Sequence, residues 1–283
     1  MILRRLLLLS LVSLPLLFAQ STIVEDSVFS RSLNSSSHYL VILPAEYNKS
    51  QERYPVLYLL HGLGGDYTNW VKLTGLASYA SAYRMIIVTP DAKDGWYSNS
   101  PFLKDANYED HIINDVIPDA EKKYRTIQTK FQRGIAGLSM GGYGAVKYAL
   151  RYPGKFGFAA GISPSIQFPA ALEDSAVVKR WSRSAIKDLR SLFGSARTDS
   201  WKKDDLFAIA ENANASVVPY IYLSVGSQDG ILEIPGLTHD LAALFRKKGI
   251  AFEIHETPGG HDWKFWDREI RTVLSLFNER MVK

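Results

Sequence analysis

Three side chains in this chain could together carry nucleophilic acyl transfer. Gly137-Leu138-Ser139-Met140-Gly141 matches G-x-S-x-G. That pattern places a serine on a sharp strand-to-helix turn, where small flanking residues let strand and helix approach closely. Phe131–Ala136 reads as a short strand before it, and Gly142-Tyr143-Gly144-Ala145 opens a helix after it. The helix N-terminus favours negative charge developing at the serine. Serine is a weak nucleophile and needs a base, and in this topology acid and base follow it in the chain. His239, His255 and His261 satisfy that order. His239 falls in a helical pattern and His255 ends a strand of alternating character, which leaves His255 as the reserve. His261 follows Pro258-Gly259-Gly260 and precedes the last helix, where a base can reach back over the nucleophile.

Asp229 follows the apolar run Pro219–Val225 through Gly226-Ser227-Gln228. A loop after a parallel strand is the expected seat for the acid, which fixes the imidazole tautomer and stabilises the imidazolium. Asp204, Asp205 and Asp240 are rivals that lie on helices or in an insertion. His61-Gly62-Leu63-Gly64-Gly65 follows another apolar run, Pro55–Leu60. Such a glycine loop can aim amides at an oxyanion, and the expected donors are the backbone N–H groups of Leu63 and Met140. His61 precedes the serine and reads as structural. Trp70, Trp96 and Tyr97, with residues of the insertion, are expected to line the substrate pocket.

These positions need a scaffold. Strand-like segments at Thr22–Arg31, Tyr39–Leu43, Pro55–Leu60, Met85–Thr89, Gly134–Ala136, Phe156–Ile162, Pro219–Val225 and Ala251–His255 are separated by helical patterns. The helical candidates are Tyr67–Ser81, Tyr108–Tyr124, Gly141–Arg151, Gly236–Lys248 and Trp263–Met281. In Tyr108–Tyr124 the apolar Ile112, Ile113, Val116 and Ile117 share one face, followed by Ala120 and Tyr124. This alternation predicts an α/β fold with a mostly parallel central sheet and helices on both faces. The first two strands are expected as antiparallel additions at one edge. Residues 163–216 are polar and weakly periodic, with Trp181, Phe193 and Trp201, and read as an insertion over the active site.

Composition narrows the chemistry further. The chain has 283 residues, 46% of them hydrophobic, and a formal charge of +4. That charge, without a dense Lys/Arg stripe, gives no footprint for nucleic acid. The absence of cysteine excludes disulfides, thiolate zinc sites and a thiol nucleophile. The first nineteen residues read as a secretory signal peptide: Arg4 and Arg5, then the apolar run Leu6–Phe18, then the small Ala19. The apolar run is short for a membrane span and is interrupted by Pro15. Removing the two leader arginines from the +4 leaves +2 on residues 20–283, read as a single secreted or periplasmic domain without stable membrane insertion.

With those residues assigned, the chain resembles the esterase D-like family of α/β-hydrolases. That group holds feruloyl and acetyl-xylan esterases, tributyrin-type esterases, S-formylglutathione hydrolases and mycolyltransferases. The matching pieces include Tyr58-Leu59-Leu60-His61-Gly62, Thr89-Pro90-Asp91 with Gly95-Trp96-Tyr97, Ile117-Pro118, Tyr124-Arg125-Thr126, Ala136 to Ala145, Asp229, and Gly260-His261-Asp262-Trp263. They span residues 39–280. The resemblance implies an α/β-hydrolase fold, Ser139, Asp229 and His261 as triad, and Leu63 and Met140 as amide donors. The expected activity is hydrolysis of a small-molecule or carbohydrate-linked carboxylic ester, acetyl or feruloyl among them, with no metal or organic cofactor. The alternatives are an acyltransferase using the same acyl-enzyme and a non-catalytic carbohydrate-binding relative.

Overall fold

A computed structural model of the chain describes residues 21–194, 199–231 and 233–281; the expected leader lies outside them. The strands are β1 (Thr22–Ser30), β2 (Ser35–Leu43), β3 (Val56–Leu60), β4 (Ile86–Pro90), β5 (Arg133–Leu138), β6 (Phe158–Ile162), β7 (Tyr220–Gly226) and β8 (Phe252–Thr257). They form one sheet in the order β1-β2-β4-β3-β5-β6-β7-β8. The β1/β2 and β2/β4 pairs are antiparallel, and every pair from β4 to β8 is parallel. The edge position of the two antiparallel strands is the one their sequence suggested.

Period-two alternation explains why the central strands are apolar throughout. In β3, Val56, Tyr58 and Leu60 enter one core while Leu57 and Leu59 enter the other. The first core lies under α3 (Tyr108–Asp110), the π-helical turn His111–Val116, α4 (Ile117–Lys123) and α5 (Met140–Arg151). The second lies under α1 (Asn69–Leu73), α2 (Leu76–Ala80) and the C-terminal helix Trp263–Met281. Burying each large apolar side chain here is worth about 1.5–3 kcal/mol.

Two helical expectations differ in detail. The segment Tyr67–Ser81 is broken rather than continuous, because the Thr74 hydroxyl donates to the Trp70 carbonyl and Asp267 takes the Gly75 amide at 2.7 Å. The Tyr108–Tyr124 pattern does form one helical run, but it widens into the π-turn, which buries His111 beside Ile112, Ile113 and Val116.

Residues 163–216 carry α6 (Ser175–Arg180), α7 (Arg183–Phe193), α8 (Asp199–Lys202) and α9 (Leu206–Asn212). Their buried residues, among them Phe168, Leu189, Trp201 and Leu206, join the first core. After β7 comes α10 (Ile234–Lys248), and after β8 comes α11 (Trp263–Met281). No helix among the described residues is long and apolar enough to cross a membrane.

Candidate active site

Ser139 sits between β5 and α5 with φ 52° and ψ −116°, a backbone conformation that L residues rarely adopt. The packing holds it there. A Cβ on Gly137 would run into the Gly141 backbone, and one on Gly141 would lie 2.5 Å from the Leu60 carbonyl oxygen and 2.6 Å from that of His61. The Ser139 amide donates to Ile162 O at 2.9 Å, pinning the turn to β6.

His261 and Asp229 come from neighbouring loops laced together at the ends of β7 and β8. The Ser227 amide donates to Thr257 O at 2.9 Å and the Gln228 amide to Gly259 O at 2.9 Å; the Gly259 amide donates to Gln228 Oε1 at 2.6 Å. His261 Nδ1 lies 2.8 Å from Asp229 Oδ2, and its Nε2 lies 2.9 Å from Ser139 Oγ. A carboxylate only accepts, so Nδ1 carries the proton and Nε2 is left to accept from the serine. The Asp229 side chain is fully buried, and its Oδ1 also accepts from the Ile231 amide at 3.1 Å. Trp266 meets the imidazole edge-on at 5.0 Å between ring centres. Ser165 Oγ lies 3.1 Å from Ser139 Oγ. With the Ser139 proton committed to His261, the Ser165 hydroxyl is the donor in that pair.

The loop after β3 faces this constellation. The buried His61 accepts from the Ala92 amide at Nε2 (3.0 Å), so its Nδ1–H donates to Gly62 O at 2.8 Å. Among the described residues, the amides of Leu63 and Met140 make no intramolecular hydrogen bond. Behind the nucleophile, Lys147 of α5 is fully buried and bonds Ser98 Oγ at 2.6 Å, Asp204 Oδ1 at 2.8 Å and Glu109 Oε2 at 3.2 Å. Burial by itself would raise the Glu109 carboxyl, but Lys147 and Arg151 beside it hold it below the ordinary value. The Tyr143 hydroxyl donates to Asp204 O at 2.6 Å, so the insertion is tied to the nucleophile helix.

Comparison with known proteins adds the family. The family profile described as "Putative esterase" matches residues 30–276. The chain belongs to this esterase family. An esterase of Mycobacterium tuberculosis (strain CDC 1551 / Oshkosh) is 33% identical to it over 244 residues, covering 78% of this chain and 51% of that protein. The chain thus spans about half the length of that curated relative. An acetyl esterase of Caldicellulosiruptor saccharolyticus is 26% identical over 272 residues, covering 91% of this chain and 98% of the other. The solved structure of a ferulic acid esterase superposes with a TM-score of 0.76 at 26% identity, covering 93% and 99% of the two chains. Sheet order and likeness together make the fold an α/β-hydrolase fold.

The structure brings Ser139, Asp229, His261, Leu63 and Met140 to one place. It does not bring Trp70, Trp96 and Tyr97 into the cleft. All three are buried in the core. Trp70 donates from Nε1 to Leu60 O at 3.0 Å, and the Tyr97 hydroxyl donates to His61 O at 3.0 Å, so both brace the glycine loop from behind. Trp96 packs against Phe168 at 4.6 Å and Trp181 at 6.4 Å. Trp70 and Tyr97 thus find partners for their polar ends inside the protein, as buried Trp and Tyr usually do.

A cleft of about 750 Å³ opens over Ser139 and His261. Its walls include Leu73, Ser165, Trp181, Ile231, Trp263 and Trp266. Trp263 and Trp266 follow His261 directly on the first turn of α11, a signal the sequence carried. Ser165 and Trp181 lie in the insertion, whose residues the sequence expects at the pocket, although no local pattern singles out these two. The other candidates stand apart: His239 is exposed and His255 half-buried, and they pair with Glu256 and Glu253. Asp205 caps α9, accepting from the amides of Phe207 (2.9 Å) and Ala208 (3.2 Å), and Asp240 is exposed.

Proposed function

We propose that this chain hydrolyses carboxylic esters through an acyl-enzyme on Ser139, with His261 as base and Asp229 as its orienting acid. The observation that carries this reading is the unbroken relay from Asp229 Oδ2 through His261 to Ser139 Oγ, at 2.8 and 2.9 Å. His261 Nε2 takes the serine proton as Oγ attacks the ester carbonyl. The amides of Leu63 and Met140 receive the oxyanion of the tetrahedral intermediate. Collapse expels the alcohol, which takes the proton from Nε2; a water then repeats the sequence on the acyl-enzyme and restores Ser139. Asp229 keeps its charge throughout and stabilises the imidazolium.

The substrate is a short-chain acyl ester or a carbohydrate-linked ester such as an acetyl or feruloyl sugar. Relatives named acetyl esterase and ferulic acid esterase support this class. So do the cleft's indole walls, Trp181, Trp263 and Trp266, because indoles pack well against a sugar or phenyl ring. The leader-like residues 1–19 support export of the enzyme. Kinetics on p-nitrophenyl acetate test the reading. Ser139→Ala is expected to lower kcat/KM by roughly 10⁴-fold or more. Equal, slow hydrolysis by wild type and variant would reject it.

A further inference from the structure

We propose that the groove beside the cleft, along α7, binds an oxyanion group, such as a carboxylate, that the ester substrate carries at a distance from the scissile bond. This rests on the esterase reading above and adds a substrate class to it.

The groove has a volume of about 540 Å³ and is lined by Val178, Trp181, Arg183, Ile186, Lys187 and Arg190, with Ser191 at its end. Trp181 also lines the reaction cleft, and the next residue, Ser182, lines the cleft while Arg183 lines the groove. One turn of chain therefore forms the wall between the two, and a substrate that passes Trp181 reaches the groove.

Charge is distributed unequally across that wall. Among the described residues, no Lys, Arg, Asp or Glu lines the cleft. A neutral ester bond suits it, and a charged tail does not. Among the described side chains, Arg183, Lys187 and Arg190 line the groove together with Trp181. At about 100° per residue, Arg183, Lys187 and Arg190 fall within roughly 60° of one another on α7, while Asp188 is turned about 100° away from Lys187. All three cations are exposed, and their side chains make no ion pair or hydrogen bond among the described residues. Two guanidinium forks flanking an ammonium are the donor set that grips a carboxylate or a similar oxyanion. A lipid surface is a poor occupant, because Ile186, Leu189, Leu192 and Phe193, the apolar side of α7, are buried in the core and leave nothing to enter a bilayer.

Two matched series of esters test this. One consists of p-nitrophenyl half-esters of dicarboxylic acids of graded length, each with its terminal primary amide as the neutral twin. The other consists of acetate esters of ω-hydroxy acids with their amide twins, read by acetate release. The first places the charge on the acyl side and the second on the alcohol side. At about 20 mM salt, in at least one series, the carboxylate that reaches the groove should be hydrolysed with kcat/KM about 3- to 10-fold above its amide. That ratio should fall towards one at about 500 mM salt, where screening is short-ranged. It should also fall to one or below in Lys187→Glu/Arg190→Glu, with an unchanged melting temperature showing that the variant is folded. Amides hydrolysed with no carboxylate preference at any length in either series would overturn the inference alone, as would a preference that survives the charge reversal. No hydrolysis of the amides or of p-nitrophenyl acetate would overturn the esterase reading and this inference with it.

Discussion

Replacing Gly141 by alanine tests whether close backbone approach sets the geometry of the site. The added methyl would lie 2.5 Å from Leu60 O and 2.6 Å from His61 O, against an ordinary contact that begins at 3.4 Å. Both obstacles are backbone atoms at the end of β3, so neither can swing aside as a side chain would. Relief requires the nucleophile turn and the glycine loop to separate by roughly 0.9 Å. That movement carries the Met140 amide away from the Leu63 amide, and Ser139 away from His261. Overpacking of this kind costs about 1–3 kcal/mol. At roughly 2–4 °C per kcal/mol for a chain of this size, the melting temperature should fall by about 2–12 °C. A displacement near 1 Å at reacting atoms costs roughly 10²-fold in rate. The assay is kcat and KM on p-nitrophenyl acetate beside a thermal melt, with Gly236→Ala as control. Gly236 lies in the first turn of α10 with nothing within 4 Å of an added Cβ. Its substitution should stabilise by about 0.5–1 kcal/mol and leave kcat/KM unchanged. If Gly141→Ala kept both wild-type activity and wild-type melting, the packing argument would be refuted.

Other expectations follow from the same geometry. Asp229→Asn keeps the shape but replaces one acceptor by an amide, so the imidazole tautomer is no longer fixed; kcat should fall by roughly 10³–10⁴-fold with KM little changed. Steady-state kinetics would check this, and a loss below tenfold would contradict the assigned role. Ser165→Ala removes the hydroxyl that donates to Ser139 Oγ at 3.1 Å. The expected loss is about 3- to 10-fold in kcat/KM, the worth of one hydrogen bond, and Ser165→Thr should restore part of it. Burial lowers the His111 imidazole below its ordinary 6.5. The unfolded chain therefore binds this proton before the folded one does. The stability from keeping His111 neutral is complete above pH 6.5 and is lost as pH falls through its lowered folded value. Urea melts should show that acid-side decline, and His111→Phe should flatten it even though its overall stability is lower; an unchanged slope would count against the assignment.

Much of this was legible in the residues. The G-x-S-x-G turn, the loop positions of Asp229 and His261, and the strand–helix alternation all rest on local rules: small residues at close approaches, chain order and hydrophobic period. The parallel core from β3 to β8 followed from runs buried on both faces. What escaped was set by tertiary partners. Trp70 and Tyr97 look like pocket aromatics in sequence, but Trp70 spends its polar end on the last carbonyl of β3 and Tyr97 on the first carbonyl of the loop after it. Only their place behind that loop distinguishes support from lining. Ser165 and Trp181 belong to an insertion whose helices are held by long-range contacts, such as Asp204 to Lys147, and no periodicity could have aimed them at the cleft. The π-turn at His111 adds a buried residue to a helix face that a regular 3.6-residue reading leaves out.

The central claim is that Ser139 carries the acyl group, and mass analysis of the enzyme acid-quenched during turnover of p-nitrophenyl acetate tests it most directly. The expected result is one added acetyl group per chain, mapped to Ser139 in the peptide that spans Gly137–Gly141, and none in Ser139→Ala. An acetyl group on any other residue of an active enzyme, or turnover by Ser139→Ala at the wild-type rate, would contradict it.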